Sequence, residues 1–312
     1  MALLLVLVVV ALLTSLLTDL AYSTLVDMRL TETFRDSTKA YYLAKGGLNA
    51  GRMILQEDDN RYDSLDEPWS QGVANFPVGE GSVSIRIEDQ DGKLAINTLV
   101  NGDNPETVMI DRFYRLLVNL ELEEQAEPAE LAAALIDWLD RGDTPYAEIR
   151  TDGLNIPVGG AEEVYYRSLS PSYPCKNGLL ETLQELSLVK GFTPEIIKVI
   201  SPHLAVNGSM QININTASAE VLMSLDRQID VSAAQTIIDY RRQKPIENIA
   251  QLEEVLRPEA YTVLKTLVNL KQLGTTSLTY RIEATALVND GSRRLLAEID
   301  KAKNKLLFFK VN

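Results

Sequence analysis

At 312 residues, with 46% hydrophobic and 24% charged side chains, the chain has room for two or three compact units of ordinary globular composition. Its 30 basic and 44 acidic residues leave a net charge of −14, which argues against a general binder of nucleic acid or anionic membrane. The lone cysteine, Cys175, excludes an intrachain disulfide and a Cys-rich zinc site, and the lone histidine, His203, argues against a His-based metal centre or a Ser–His–Asp triad.

The first eighteen residues, MALLLVLVVVALLTSLLT, carry no charge, and no glycine interrupts the chain before Gly46. At about 1.5 Å per helical residue, such a run crosses most of a hydrocarbon core roughly 30 Å thick. It lacks the basic n-region, short apolar segment and small-residue cleavage site of a secretory signal. No Lys or Arg precedes Arg29, so the usual cytoplasmic positive flank is missing and Met1 is expected to be a processed N-terminus. Apolar residues then recur at helical spacing through Leu25, Met28, Phe34, Tyr41, Leu48 and Ile54. The spacing predicts one helix over residues 1–55, its front half in lipid and its back half packed on a folded domain.

An acidic, turn-rich link (58–81) follows, and the period then changes to two. Val83, Ile85 and Ile87 alternate with polar residues, Asp89–Gly92 reads as a turn, and Leu94 and Ile96 continue; the pattern predicts a β-hairpin. Residues 105–270 read as a helical block, with helices over 111–122, 128–139, 194–200, 217–225, 232–242 and 248–256. Period two returns from Tyr280 to Val288, Asn289–Asp290–Gly291 turns the chain, and 295–299 and 306–311 supply two more strands. The two ends of the chain are thus expected to build one antiparallel sheet on the N-terminal helix. The fold class is α+β with a large α-helical insertion, divided as 1–55, 56–104, 105–208, 209–270 and 271–312.

The chemistry available is carboxylate chemistry, which suits Ca²⁺ better than a transition metal. Asp137–Trp138–Leu139–Asp140–Arg141–Gly142–Asp143 closes a helix, and the loop after it returns through Gly159–Gly160–Ala161–Glu162–Glu163. Oxygen ligands from a helix end and a returning loop can enclose Ca²⁺; a solvated acidic loop is the alternative. A metal would also order a long loop that shows no periodicity. Trp69 and Trp138 read as buried anchors, Cys175 as a structural thiol and His203 as a surface or cap residue. No nucleotide loop, zinc motif or nucleophile elbow is present, so no enzymatic activity is expected.

This organisation resembles the type IV pilin-like proteins, and among them the longest of the type II secretion pseudopilins, the minor pseudopilin K family. The words that carry the resemblance are the MALLLVL start, EPWSQG at 67–72, Asp137–Trp138–Leu139–Asp140, GGAEEVYY at 159–166 and ININTASAEVL at 212–222. Their order and spacing span essentially the whole chain. The resemblance implies a pilin-like fold and a single-pass inner-membrane anchor with the C-terminal domain in the periplasm. Implied partners are the minor pseudopilins I, J and H, and beyond them secreted substrate or the outer-membrane secretin. It also implies calcium, carried over to Asp140, Asp143, Glu162 and Glu163. Most pilins have Glu at the fifth mature position, where it pairs with the N-terminal ammonium of a neighbour. Here that position is Leu5, which with Met1 forms the expected assembly end. A subunit without that carboxylate cannot neutralise a subunit ahead of it, which fits the tip of a filament.

Residues 213–222 also resemble the opening of helix-hairpin-helix modules in membrane-anchored, competence-type DNA receptors. In those modules a Gly-hydrophobic-Gly hairpin brings backbone N–H groups to a phosphate. Here Gln228 and Asp230 fall where the two glycines would be, and residues 209–256 hold four basic and seven acidic side chains. Nucleic acid is therefore not an expected partner.

Overall fold

The computed structural model describes residues 1–312. Helix α1 (Ala2–Glu57) runs for 56 residues without a break, a length of about 84 Å at the α-helical rise. Residues 2–35 stand exposed, while Asp36, Ala40, Ala44, Gly47, Leu48, Gly51 and Leu55 form its buried stripe. The short helix α2 (Pro68–Gln71) and strands β1 (Val73–Val78) and β2 (Gly81–Asp89) follow.

The chain then leaves the sheet through β3 (Leu94–Ala95), a 3₁₀ turn (Ile96–Leu99), β4 (Val100–Asn101) and β5 (Asn104–Pro105). Next come α3 (Thr107–Asn119), α4 (Pro128–Leu139), the hairpin β6 (Glu148–Thr151) and β7 (Leu154–Pro157), α5 (Glu163–Arg167) and α6 (Pro194–Ile200). Strands β8 (Leu204–Ala205) and β9 (Ile212–Asn213) lead to α7 (Ala219–Ser224), α8 (Val231–Gln243), α9 (Pro258–Asn269) and β10 (Leu273–Gly274). The chain re-enters the sheet as β11 (Thr279–Val288), β12 (Gly291–Asp300) and β13 (Lys305–Val311).

The five-stranded antiparallel sheet has the order β1-β2-β11-β12-β13, so the two ends of the chain meet where β2 pairs with β11. Small residues on both surfaces bring α1 close to it. A Cβ on Gly47 would sit 2.6 Å from Val83 Cγ2, and one on Gly51 would sit 2.8 Å from Ile282 Cγ2. Ala284, Ala286 and Ala297 face the helix from the sheet, and Trp69 closes the layer edge-on to Tyr280. The helical block has its own, larger core of 48 buried residues, from Leu94 to Leu273. Two hydrophobic cores therefore exist, and the surface between them is polar. Asn213 Nδ2 donates to Asp63 O (2.9 Å) and Ser277 Oγ (2.7 Å), and Asp91 Oδ2 accepts from Leu278 N (2.6 Å) and Thr279 N (3.1 Å).

Several sequence expectations are corrected. The expected hairpin over 83–96 does not form: β2 pairs instead with β1 across Gly79–Glu80, and Leu94–Ala95 pairs in parallel with Leu204–Ala205. The carboxylates of the supposed turn are why. Asp89 and Asp91 are buried and bind groups on both sides of the junction, so the chain crosses there into the helical unit. The first pilin-like segment thus ends near Asp89 rather than at 104. Strand β1 shows no period-two pattern in the sequence because Pro77 and a bulge between Val73 and Phe76 break its alternation. The helix expected over 248–256 is only a 3₁₀ turn at Ile249–Leu252, and α9 begins beyond it with Pro258 in the first turn.

Candidate functional site

Helix α4 ends at the buried Asp140, and its spacing sets Asp137 one turn earlier on the same face. Asp137 is fully buried; its Oδ1 accepts from Tyr146 N at 2.8 Å, while Oδ2 has no partner. The returning loop closes over this carboxylate because residue 160 is glycine, since a Cβ there would collide with Asp137 Oδ2. Asp140 Oδ1 accepts from Gly142 N at 2.8 Å. Glu162, only 4% exposed, leaves both carboxylate oxygens without a partner, and Asn177 Oδ1 is a further orphan whose Nδ2 donates to Gly142 O (3.1 Å).

The electrostatics agree with the geometry. Burial, then the charges of Asp137, Asp140 and Asp143, pushes the Glu162 carboxyl up to about 7. Burial pushes Asp137 up to about 6 and raises Asp140 as well. Buried carboxylate oxygens without a partner, as at Asp137 and Glu162, either hold protons or take a cation. Hard oxygen donors with irregular geometry fit Ca²⁺. Of the residues expected from the sequence, Asp140 and Glu162 are buried, and Asp143, exposed beside them, acts on both only through its charge. Glu163 points elsewhere: its Oε1 accepts from Arg167 Nε (2.6 Å) and its Oε2 from Cys175 N (2.7 Å). Asp137 and Asn177 are the members that sequence reasoning missed. The i, i+3 spacing of Asp137 and Asp140 was the available signal for the first; nothing local marked Asn177.

The other candidates resolve into structure. Asp58, Asp63 and Glu67 bring carboxylate oxygens within 4.8 Å of one another. Lys301 Nζ already binds Asp58 (2.7 Å) and Asp63 (3.1 Å) there, and Glu67 takes Ser64 N (2.6 Å) and Trp69 Nε1 (3.1 Å). Glu67 of the EPWSQG word is thus a local tie for the link. His203 Nδ1 lies 2.9 Å from Ser218 Oγ, and burial lowers its pKa. Cys175 is buried, with its thiol pushed up to about 12 by burial, so it is inert. Trp138 is buried edge-on to Tyr166 and Tyr173.

In the turn between α7 and α8 the backbone N–H groups that a phosphate would need are taken by the chain's own carboxylates. Gln228 N donates to Asp226 Oδ1 (2.9 Å) and Ala233 N to Asp230 Oδ1 (2.9 Å), while Asp230 Oδ2 is held by Arg257 Nη2 (2.8 Å). The carboxylates of Asp226 and Asp230 in this turn repel a phosphate.

Comparison with known proteins decides the family. Matches to the type II secretion system (T2SS) protein K family cover residues 92–209 and 212–271, more than half of the chain. The chain belongs to that family. The protein K of Pseudomonas aeruginosa is 28% identical over 249 residues, covering 77% of this chain and 71% of that protein. The Aeromonas hydrophila protein K is 25% identical over 263 residues, covering 78% and 76%. A chain of the GspK-GspI-GspJ complex from the enterotoxigenic Escherichia coli type 2 secretion system superposes with a TM-score of 0.66 at 18% identity, covering 93% of this chain and 99% of that one. The fold is therefore that of a protein K, and the chain is a component of a type II secretion system. Its apolar N-terminal helix is consistent with a single-pass inner-membrane anchor.

Proposed function

We propose that this protein-K family member caps the tip of a type II secretion pseudopilus as a non-enzymatic assembly subunit. It assembles with the minor pseudopilins I and J above pseudopilin H, and its C-terminal domain lies in the periplasm. The observation that carries this reading is where the helical unit leaves the sheet. A Cβ on Gly291 would press on the backbone of Asp36, and one on Gly51 on Ile282, so the sheet runs along α1 with its Gly81–Gly291 end toward the membrane helix. The insertion leaves at Asp89 and returns at Thr279, on the end farthest from that helix. Its bulk occupies the space where a further subunit would stack. Leu5 supports the same placement, because it offers no carboxylate to a subunit ahead.

The exposed apolar half of α1 supplies the contact. Within the bilayer its aliphatic side chains gain nothing by leaving lipid, so close packing against homologous helices holds the assembly. After extraction into water the same contacts gain about 25 cal/mol per Å² buried. In the acidic pocket Asp137, Asp140, Asp143, Glu162 and Asn177 would hold calcium. The bound ion would supply a positive centre that ties the end of α4 to the returning loop.

Immunogold labelling of pseudopili drawn from cells that overproduce them tests the placement. One label at a single end of each filament is expected; labels along the shaft refute a capping role. Secretin contact and passage of substrate at this subunit would follow from the same placement.

A further inference from the structure

The helical unit meets the sheet at a polar junction with open space on two sides. The chain crosses there twice, outward over residues 89–92 and back over residues 275–279. Gln90 N, which donates to Thr279 O (2.9 Å), and Asp91 Oδ2, which accepts from Leu278 N and Thr279 N, tie the two crossings together. The hydrophobic cores on either side stay separate. A cleft of about 400 Å³ opens beside β2, between Arg86 and Glu88 on the sheet and Pro202, Thr216 and Ser218 on the helical unit. Another, of about 340 Å³, opens on the β12–β13 side, where Leu296, Phe308 and Lys310 face residues 181–184. Between the clefts the bridge is polar: Asn207 Nδ2 donates to Glu298 Oε2 at 2.7 Å, and Arg281 Nη2 pairs with Glu298 Oε1 at 2.7 Å. Paired crossings at one place, separate cores and a gap on each flank are the geometry of a hinge, in which narrowing one cleft widens the other.

Asp89 stands at the pivot. Its Oδ2 accepts from Ser277 Oγ on the returning crossing (2.7 Å), and from Asn213 Nδ2 (3.3 Å) and Thr216 Oγ1 on the helical unit; its Oδ1 accepts from Asp91 N (2.8 Å). The charges around it do not balance. Asp91 lies beside it, and the buried Asp63 binds Ser277 N and Tyr280 Oη. Lys301 pairs with Asp58 and Asp63, and Lys93 with Glu88, so no cation is left for Asp89 and Asp91. Two neighbouring buried carboxyls without a cation hold a proton between them more cheaply than two charges. Burial, then the charge of Asp91, pushes Asp89 up to about 7, and burial raises Asp91. Asp89 also lines the β2-side cleft, which gives the proton a way to water. We propose that the helical unit rocks on the sheet about this junction, locked while the Asp89–Asp91 pair carries a proton and released when the proton leaves. Once ionised, Asp89 draws water in through the β2-side cleft and exchanges its ties to Thr216, Asn213 and Ser277 for hydration. The lock is therefore complete below the ordinary carboxylate range and is lost as pH rises through about 7. The device does not depend on where the subunit sits in a filament.

Pulsed electron double resonance on the full chain in non-ionic detergent micelles reads the motion. Spin labels on Lys198→Cys in α6 and Ser292→Cys in β12 span the junction. Lys198→Cys with Lys265→Cys in α9 gives a control distance inside the helical unit; all three positions are exposed, and the buried Cys175 stays unlabelled. The distance across the junction should be single and narrow at about pH 5.5, and should broaden or split with a midpoint near 7, while the control distance holds. Asp89→Asn keeps the shape and cannot ionise, so it should keep the narrow distance up to about pH 8.5. A distance across the junction that is the same at both ends of that range overturns the proposal. A change that persists in Asp89→Asn also overturns it, and assigns the transition to Glu162 and Asp137, which titrate in the same range. If Asp89→Asn is loose at every pH, Asp89 is a structural tie and its part as the switch is overturned.

Discussion

Glu162→Gln should change the protein in opposite directions with and without calcium. In the folded chain the Glu162 carboxyl titrates near 7 instead of 4.5, and Asp137 near 6 instead of 3.8, both chiefly through burial. The folded state therefore binds protons more tightly than the unfolded chain. Without a cation, stability is complete below about pH 4 and is lost as pH rises through 6 to 7. For Glu162 the rise corresponds to about 3 kcal/mol of burial and repulsion borne by the ionised form. Glutamine keeps the shape, discards the charge and can donate to the orphaned Asp137 Oδ2. With chelator at pH 7.5, Glu162→Gln should thus be more stable than the parent by about 2 kcal/mol, because Asp137 and Asp140 keep their own charges. That is about 5 °C in the melting of a unit this size. At pH 4.5 the advantage should vanish. In saturating calcium the order should reverse, and calorimetric titration should show weaker binding. Differential scanning calorimetry at the two pH values, with chelator and with calcium, reads all of these. If the variant is less stable than the parent in chelator at pH 7.5, the pocket is not an unpaired carboxylate cluster and the calcium reading falls with it.

Gly51→Leu should lower stability by about 1–3 kcal/mol by forcing α1 off the sheet. Trp69 fluorescence in denaturant would report the loss, while Trp138, in the separate core, should unfold as in the parent. Lys301→Met removes the cation shared by Asp58 and Asp63 and should cost about 2–4 kcal/mol, again read at Trp69; an unchanged midpoint would mean the link is held without that pair. Leu5→Ala should leave recruitment to pseudopili unchanged. Leu5→Glu should reduce it several-fold, because a carboxylate at the leading subunit finds no ammonium ahead of it in the lipid; immunoblots of sheared filaments would show equal amounts if that is wrong.

Much was determined by sequence alone, wherever one local pattern fixes one local outcome. The uncharged head and its amphipathic continuation specify a single long helix, because helical periodicity is a property of neighbouring residues. The period-two runs at Val83–Ile87 and Tyr280–Val288 specify strands for the same reason, and Pro128 and Pro194 mark helix starts that the structure reproduces to the residue. The carboxyl-rich words around Asp140 and Glu162 marked acidic residues that the fold buries.

Tertiary structure decided what depends on residues far apart in the chain. Whether Asp89–Gly92 turns a hairpin or carries the chain into a second unit rests on Asn213, Ser277 and Thr279, more than a hundred residues away. Whether Glu162 or Glu163 faces the pocket rests on Arg167 and Cys175, which hold Glu163 elsewhere. Asn177 joins the pocket only because the 175–178 segment folds back onto α4, where Gly178 N donates to Trp138 O at 3.2 Å. A charge or an orphaned hydrogen-bonding atom acquires its meaning from burial, and burial is settled by packing between distant segments rather than by any local word.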